Sequence, residues 1–552
     1  MLTTGTTNRI TRLLVFMALL FGFAGSIGNT VAGPFDKSAM DSTDGRSAIR
    51  TGIELERSRN WIQAIEFYQK AQKLYPASKE IRYGLRRSKI HFGIARRYAD
   101  RSFETKLLTK SRNDALMLFD SLLFQIRTQY VEPISSTSFV AHGTESLYLA
   151  LGNPKFAKKN LQNIPAERIK KLRKILRDEF WNLPVANRRE AMKTVSQVCD
   201  IARKTAGLSP SAVIMEYIFG GCNALDDYSS VLTPDRLDDL YGNIDGEFVG
   251  LGIEMKAKLG KGMLLANILP DSPAEVGGLR KNEYIVAING IDCRNMTTDE
   301  AARLLRGRAG STVRLQIQAA NSEKIRNGIF VRKAVQVKSI PLATMVDRQA
   351  GIGYIRMTGF QKTTAMELDA ALTKLHRQGM RSLIWDVRGN PGGLLTSAVE
   401  VLDRFIDEGI LVSTRGRTRD QNESHHANRI GTWGIPLVLL VDEDSASASE
   451  IVAGAIRDHR RGTIVGRKTF GKWSVQTIFP VRSGTGLRLT TAKFYSPKGL
   501  THGKVGVRPD ILVEERSQIV SRYRGPLTPR EITSDRDLHR GIQILRNQLT
   551  QK

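Results

Sequence analysis

Three serines in one short stretch, Ser445, Ser447 and Ser449, are separated only by alanines. The apolar run 435–441 before them predicts a short buried strand, and the apolar spacing over 451–456 predicts a helix after them. A serine at such a junction meets backbone N–H groups that lack intrahelical partners and carry partial positive charge. This suits a nucleophile whose attack creates an oxyanion. The alternative is a helix N-cap cluster, since serine and aspartate are common caps.

A lysine follows in a stretch that alternates like a strand, Thr469–Thr477. Side chains two residues apart share one face of a strand, so Lys472, Ser474 and Gln476 are predicted to point the same way. A lysine beside an amide is suited to act as a base with its positioning group. Such a base must be uncharged. Because an ordinary lysine has a pKa of about 10.4, the site must desolvate it or place positive charge nearby.

The order Ser-Ala-Ser-Ala-Ser-Glu-Ile at 445–451, followed by Thr-Phe-Gly-Lys at 469–472, resembles the carboxyl-terminal processing proteases, also called tail-specific proteases. In that family the middle serine is the nucleophile and the base lysine lies 25 positions on, which matches Ser447 and Lys472. The resemblance gives the orienting role to Gln476. It implies a serine endopeptidase with a Ser–Lys dyad and no cofactor, which cleaves protein substrates near their unstructured C termini.

A pair of glycines ends the sequence Arg-Gly-Asn-Pro-Gly-Gly at 388–393, between a predicted strand at 383–387 and a predicted helix at 394–405. Glycines there let backbone N–H groups point into a site. A phosphate-binding loop is one interpretation, although the lysine of a Walker motif is missing. The resemblance instead implies an oxyanion hole formed by the N–H groups of Gly393 and Ala448.

The resemblance extends over residues 224–515 and implies a ClpP/crotonase-like α/β protease core. Within that core, apolar patterns predict a strand at 352–356 and a helix at 365–375. Three further segments carry the likeness, namely 224–234, 489–499 and 507–511.

Residues 246–320 resemble a PDZ domain, a binder of peptide ends. Glycines in its first strand let backbone N–H groups hold a carboxylate, while the strand edge pairs with an extended peptide. Arg306 matches a family position that couples the PDZ domain to the active site, and the alternative is a charge at a helix C terminus. The candidate peptide-binding residues are Val249, Gly250, Leu251, Gly252 and Ile253.

The chain begins with a pattern typical of export. Arg9 and Arg12 precede the apolar run 13–23, and residues 30–32 supply the small residues of a cleavage site before Gly33. A retained membrane anchor is the alternative interpretation. In either case we expect an exported protein, periplasmic or membrane-associated and facing the periplasm.

Basic and helical sequence follows, in a chain with a formal net charge of +28. Residues 44–105 are typical of a tetratricopeptide-like helical pair that docks a protein partner, or of an ordinary helical hairpin. The basic run 155–177 suits an anionic membrane surface or is a solvated helix face, and no signature of specific nucleic-acid binding accompanies it. The patterns leave the oligomeric state open. No metal-binding spacing relates Cys199, Cys222 and Cys293, which leave room for one disulfide.

Together these patterns predict a multidomain α+β protein. Helices fill the first half of the mature chain, and strands alternate with helices in the protease core, as in α/β folds. The predicted parts are a signal peptide or anchor (1–33), a tetratricopeptide-like region (44–105), a helical protease region (110–240), a PDZ domain (246–325), a serine protease α/β core (336–515) and a C-terminal tail helix (516–552).

Two residues depart from the family pattern. Trp473 follows the lysine where glycine is usual, and Asp444 precedes the serines where an uncharged residue is usual. A bulky ring at this position narrows the substrate cleft in one interpretation and alters the lysine's loop in another. A carboxylate near the site favours the charged lysine. The alternative function is therefore a catalytically inactive adaptor that binds protein C termini. A Ser-His-Asp triad is disfavoured because His459 lies roughly 18 Å along the helix and His502 needs an unpredicted fold contact.

Overall fold

The computed structural model describes residues 45–320, 322–428, 430–514 and 527–550. The predicted targeting segment, residues 1–33, lies outside them. The chain forms two compact units: one holds the described residues up to Asp238 and Ile478–Thr490, and the other holds Asp239–Thr477 and the described residues from Thr491 onward. Among these residues no helix has both the length and the apolar character that a membrane crossing needs. The predicted domain boundaries stay predictions.

The first unit is helical. Serine side chains accept the capping hydrogen bond at the N termini of its third, fourth, fifth and ninth helices, so the local sequence explains where these helices begin. A short strand, β1 (Ser230–Leu232), pairs antiparallel with residues 486–488. The helices are α1 (Arg46–Arg57), α2 (Trp61–Leu74), α3 (Lys79–Arg97), α4 (Arg112–Gln129), α5 (Ser136–Ala150), α6 (Pro154–Asn160), α7 (Ala166–Glu179), α8 (Arg188–Ala206) and α9 (Pro210–Gly221), and α10 (Pro234–Asp245) follows β1.

Helices α1 to α3 form the predicted helical pair with a third packing helix. Tyr68 of α2 is buried between them. A β-carbon at Gly52 of α1 would lie 2.3 Å from the Tyr68 ring, and one at Gly84 of α3 would lie 2.4 Å from it. Small residues at these two positions therefore let the ring fill the space between three helices. The docking role of this region stays a prediction.

Helices α6 and α7 carry the basic run. Arg168 donates from Nε to the Thr205 carbonyl at 2.6 Å and so satisfies the end of α8. The Arg173 guanidinium lies 4.2 Å from the centroid of the Tyr148 ring. Part of the run therefore has a structural role, and an anionic partner stays a prediction. Its six lysines are all exposed, namely Lys155, Lys158, Lys159, Lys170, Lys171 and Lys174.

The second unit contains the predicted PDZ fold. Its sheet has the strand order β3-β4-β5-β7-β8, with β6 beside β5, and β2 and β9 form a separate antiparallel ribbon. The sheet continues through β8, past residue 325. The elements are β2 (Glu247–Gly250), β3 (Ile253–Lys258), β4 (Gly262–Ile268), α11 (Pro273–Val276), β5 (Tyr284–Ile288), β6 (Ile291–Asp292), α12 (Thr298–Leu305), β7 (Thr312–Gln318), β8 (Ile325–Val331) and β9 (Lys333–Gln336).

The rest of this unit is built on a six-stranded sheet of order β10-β11-β12-β15-β16-β19. All neighbours are parallel except β10 with β11. This confirms the α/β core. The elements are β10 (Leu342–Asp347), β11 (Ile352–Arg356), α13 (Thr364–Arg377), β12 (Ser382–Asp386), α14 (Leu395–Leu402), β13 (Ile410–Gly416), β14 (Glu423–His426), β15 (Leu437–Val441), α15 (Ala448–Asp458), β16 (Thr463–Gly466), β17 (Ser474–Pro480), β18 (Gly486–Tyr495), β19 (Ile511–Leu512), α16 (Pro529–Ser534) and α17 (Arg536–Thr550). Residues 478–480 of β17 and 486–490 of β18 belong to the first unit.

Both faces of the central sheet are covered. Leu439 of β15 packs among the residues of α13, α14 and α15 on one face. Leu440, the next residue, faces the opposite side and packs against Leu538 and Ile542 of α17. Because β12, β15 and β16 are parallel neighbours, their carboxyl ends meet at one edge of the sheet. The three loops that leave this edge carry the glycine pair, the serines and the lysine.

Candidate active site

Ser447 occupies the turn from β15 into α15. Its backbone has φ 57° and ψ −114°, a conformation that costs a residue other than glycine on the order of 1–3 kcal/mol. The side chain is fully buried, and its hydroxyl has no hydrogen-bond partner among the described residues. The neighbouring serines are different, because Ser445 donates to the Val387 carbonyl and Ser449 to the Asn390 carbonyl, both at 2.9 Å. The hydroxyl of the strained serine is therefore available for a reaction, whereas Ser445 and Ser449 hold the loop in place.

The glycine pair lies directly against this serine. A β-carbon at Gly392 would lie 2.8 Å from the Ser447 β-carbon and 2.9 Å from the Ala448 nitrogen. A β-carbon at Gly393, whose φ is 153°, would lie 2.1 Å from the Phe360 carbonyl oxygen, so both positions require glycine. The N–H groups of Gly393 and Ala448 donate in no hydrogen bond between described residues. The close approach therefore brings two available donors to the same serine.

Glu450 joins the serine loop to the lysine loop. Its Oε2 accepts from the Ser447 N–H at 3.0 Å and from the Lys472 N–H at 2.8 Å. Its Oε1 accepts from the Thr469 hydroxyl at 2.6 Å and from the Gly471 N–H at 2.7 Å. Burial raises the pKa of this carboxyl, and the four hydrogen bonds oppose that rise. The sequence analysis missed this residue, although its place three residues after the serine matched a capping box.

Lys472 is 1% exposed and lies in the loop between β16 and β17. The strand predicted over Thr469–Thr477 is therefore wrong for its first half, because β17 begins only at Ser474. The reason is that Glu450 takes the N–H groups of Gly471 and Lys472, and Gly471 has a φ of 95°. Those N–H groups donate to the Glu450 carboxylate and are not available for the hydrogen bonds of a β-sheet.

Gln476 lies within β17 and is fully buried. Its Nε2 donates to the Ser474 hydroxyl at 2.8 Å and to the Ser474 carbonyl at 3.2 Å. These bonds fix which way the amide points. A neutral amide held in place is suited to orient a neighbouring amine without adding negative charge.

Trp473 lies in the interior. Its ring is 3% exposed, stacks on Phe494 at 4.6 Å between centroids, and meets the edge of His502 at 4.7 Å. The ring is therefore packed in the core, and its effect on the cleft stays a prediction. The physical reason is that β18, which carries Phe494, places an aromatic partner beside the loop.

The two candidate histidines are engaged elsewhere. His502 Nε2 lies 2.7 Å from Arg457 Nη2, and burial together with that guanidinium lowers the pKa of His502. His459 Nε2 lies 2.8 Å from the Ile410 carbonyl oxygen. Neither bonds to the Ser447 hydroxyl, in agreement with the expectation that no Ser-His-Asp triad forms.

The predicted peptide-binding stretch divides in two. Val249 and Gly250 belong to β2 and pair with β9. The carbonyls of Leu251 and Gly252 accept from Ala274 and Leu269 at 2.9 Å each, while their N–H groups donate in no hydrogen bond between described residues. Residues 251–253 are therefore the part of the stretch that is suited to hold a carboxylate.

Two more features lie at the border of the PDZ region. Arg306 forms the C-cap of α12 and an ion pair with Asp239 of α10. A cavity of about 170 Å³ lies between the start of β2 and the glycine pair. Its walls are mainly apolar or backbone, and they include Ile244, Phe248, Phe360, Gly393 and Leu394.

The four hydrogen bonds of Glu450 give a testable expectation. In Glu450→Gln the amide nitrogen faces N–H donors, so about two buried donors lose their acceptor and the free energy of unfolding falls by roughly 2–4 kcal/mol. We expect kcat to fall about 10- to 100-fold, because a misplacement of about 1 Å has that effect. Thermal unfolding and steady-state kinetics measure both changes. The matched control is Glu367→Gln on α13, since Glu367 accepts from the Ile340 N–H and bonds to neither the serine loop nor the lysine loop among the described residues. Equal loss of kcat in both variants would contradict the expectation.

Comparison with known proteins shows which family the chain resembles. The profile of Peptidase family S41 matches residues 351–513, and a PDZ domain profile matches residues 265–319. A carboxy-terminal-processing protease from Bartonella bacilliformis is 37% identical over 321 residues, which make up 57% of this chain and 72% of that protein. A carboxyl-terminal-processing protease from a Picosynechococcus species is 32% identical over 345 residues, 62% of this chain and 77% of that protein. The solved photosystem II D1 C-terminal processing protease is 26% identical, with 72% of this chain and 93% of that chain covered and a TM-score of 0.40.

Each of the two bacterial relatives is matched over more than two thirds of its length. The protease interpretation is therefore confirmed over the inactive adaptor. The PDZ profile also confirms the predicted PDZ domain. The chain belongs to the carboxyl-terminal-processing proteases of Peptidase family S41, and it is a serine peptidase with a PDZ domain.

Proposed function

We propose that Ser447 is the nucleophile and Lys472 the general base of this peptidase, and that the N–H groups of Gly393 and Ala448 form its oxyanion hole. One observation carries the proposal: the buried Ser447 hydroxyl has no hydrogen-bond partner among the described residues and lies against the glycine pair. Glu450 adds support because it bonds the backbone of both Ser447 and Lys472.

The reaction begins with a neutral Lys472 amine, and burial favours that form of a lysine. The amine takes the Ser447 hydroxyl proton while Oγ attacks the peptide carbonyl carbon. The carbonyl oxygen becomes an oxyanion, and two preorganised N–H donors stabilise it by about 3 kcal/mol each. The C–N bond then breaks as the lysine ammonium gives its proton to the leaving amine. Water, activated by the neutral lysine, hydrolyses the acyl-enzyme and restores Ser447.

Five further residues have supporting roles in the proposal. Gln476 orients the lysine through its fixed neutral amide. The N–H groups of residues 251–253 hold the substrate's C-terminal carboxylate, and the substrate's extended tail pairs with the edge of β3. Arg306, through its ion pair with Asp239, connects this binding to the catalytic loops.

The apolar cavity beside Gly393 suits an apolar substrate side chain next to the cleaved bond. The substrates are proteins with unstructured, apolar C termini. The export pattern at the start of the chain supports a periplasmic location or membrane attachment facing the periplasm. The helical unit offers a surface for a protein partner.

Tail recognition is tested with one unfolded substrate made in two forms. One form ends in a free carboxylate after an apolar tail, and the other ends in the amide of the same tail. Charged hydrogen bonds contribute about 1.5–3 kcal/mol, so we expect the amide to raise KM at least tenfold while kcat changes little. The Ser447→Ala variant serves as the blank. Equal KM values for the two forms would refute recognition of the carboxylate.

A further inference from the structure

A fully buried arginine precedes the glycine pair. Arg388 is 0% exposed, and a guanidinium has five N–H donors. Its Nε donates to Asp386 Oδ1 at 3.0 Å, and its Nη2 donates to Asp386 Oδ2 and Asp535 Oδ2 at 2.7 Å each. Its Nη1 donates to Asp535 Oδ1 at 2.7 Å and Asp537 Oδ2 at 2.9 Å. Every donor is therefore used, and three of the five bonds go to two carboxylates at the start of α17.

Asp537 also reaches the lysine loop. Arg467, which begins that loop after β16, donates from Nη1 to both Asp537 oxygens at 3.2 Å. The same guanidinium donates from Nε to Glu443 Oε2 at 2.9 Å, in the loop that leads to Ser447. Burial raises the pKa of Asp537, and the positive charge of Arg388 opposes that rise. One carboxylate thus bonds two arginines, which belong to two different loops of the site.

The two arginines are close in sequence to the proposed catalytic groups. Arg388 is followed directly by Gly389, whose N–H donates to Asp442 Oδ1 at 2.8 Å, and then by the glycine pair. Arg467 precedes Lys472 by five residues. A change in the angle of either guanidinium therefore moves a loop that carries an oxyanion donor or the base.

We propose that Asp535 and Asp537 are positioning residues for peptide hydrolysis, and that α17 holds the oxyanion loop and the lysine loop in register through Arg388 and Arg467. This inference rests on the proposed roles of Gly393, Ser447 and Lys472. It assigns a function to a segment beyond residue 515, where the likeness to the protease family ends.

Other contacts of α17 hold the helix in place without reaching the catalytic loops. A purely structural role of the helix can therefore be tested separately from its positioning role. Its apolar face packs on the sheet through Leu538, Ile542 and Leu545. Near its other end, Arg546 Nε donates to Asp347 Oδ2 of β10 at 2.8 Å. Asp347 contacts none of the three catalytic loops through a hydrogen bond between described residues. It therefore offers a matched control: an ion pair on the same helix without a link to the site.

The experiment compares Asp537→Asn with Asp347→Asn in the full chain. The readouts are kcat and KM on an unfolded protein with an apolar tail, and the rate at which an organophosphorus reagent labels the active serine. We expect Asp537→Asn to lower kcat and the labelling rate at least 30-fold with KM within threefold of the parent. Asp347→Asn should keep kcat within twofold of the parent, even where its melting temperature falls as far as that of Asp537→Asn. Circular dichroism confirms that each variant is folded at the assay temperature.

Equal losses of kcat in the two variants, or a parent-like labelling rate in Asp537→Asn, would overturn the proposal. If Asp537→Asn does not fold, Arg467→Lys tests the same link, because it keeps the positive charge and leaves every bond of Arg388 in place. It should show the same fall in kcat, and parent-like kcat would refute the link. The Ser447→Ala blank separates the two hypotheses. An inactive blank with an active Asp537→Asn refutes only the positioning role, whereas an active blank refutes the nucleophile and the positioning role with it.

Discussion

Replacement of Ser447 by alanine is expected to reduce kcat by roughly 10⁵-fold or more, since removal of a serine nucleophile has effects of this size in other serine proteases. In the proposed mechanism the hydroxyl oxygen bonds to the substrate, and the hydroxyl has no hydrogen-bond partner among the described residues that its loss would disturb. The fold should therefore change little, and the free energy of unfolding should stay within about 1 kcal/mol of the parent. Single-turnover cleavage and thermal unfolding measure both values.

The neighbouring serine is the control for this substitution. Ser449→Ala removes the hydroxyl that donates to the Asn390 carbonyl, so it should lower stability by about 1 kcal/mol. It should keep activity within roughly tenfold of the parent, because only the position of the loop is affected. A parent-like rate in Ser447→Ala, or an equal collapse of activity in Ser449→Ala, would show that the nucleophile is assigned wrongly.

Lys472→Met is expected to reduce kcat about 10³-fold, since a positioned general base contributes 10²- to 10⁴-fold. Methionine fills the buried space of the lysine stem but cannot accept a proton. The parent should also gain activity as pH rises from 6 to 10. In the proposed mechanism only the neutral amine of Lys472 takes the Ser447 proton, and acidification converts it to the inactive ammonium. The variant should lack this dependence on lysine ionisation, which a pH–rate profile of kcat/KM measures directly.

Lys468→Met provides the comparison, because Lys468 is an exposed lysine of the same loop. Its loss should leave kcat within twofold and the pH profile unchanged. If Lys472→Met kept the parent's rise with pH, another group would be the base. If it kept the parent's rate as well, the dyad itself would be refuted.

Much of this site follows from local sequence. The serines are bounded by an apolar run and a helical period, and the turn between β15 and α15 lies where those patterns meet. The glycine pair follows a strand and precedes a helix for the same reason. Such signals act over a few residues, through side-chain periodicity and capping. They can therefore be read from the sequence without knowledge of the rest of the chain.

The features of the site that local sequence does not predict share one physical origin. The strand expected at Lys472 is lost because Glu450, 22 residues earlier, takes the N–H group that a sheet ladder would use. The burial of Trp473 likewise depends on Phe494, which stacks on its ring. Neither contact has a local pattern, because each depends on which strands become neighbours in the sheet.

By itself, the sequence determined the family, the nucleophile and base candidates, and the order of helices and strands, because short-range periodicity and spaced motifs encode them. Only the tertiary structure decided that Glu450 bonds both loops and that Arg388 is held by carboxylates 147 and 149 residues away. Those contacts arise when parallel strands bring their carboxyl ends to one edge and α17 covers the sheet beneath them, and no local pattern specifies that closure.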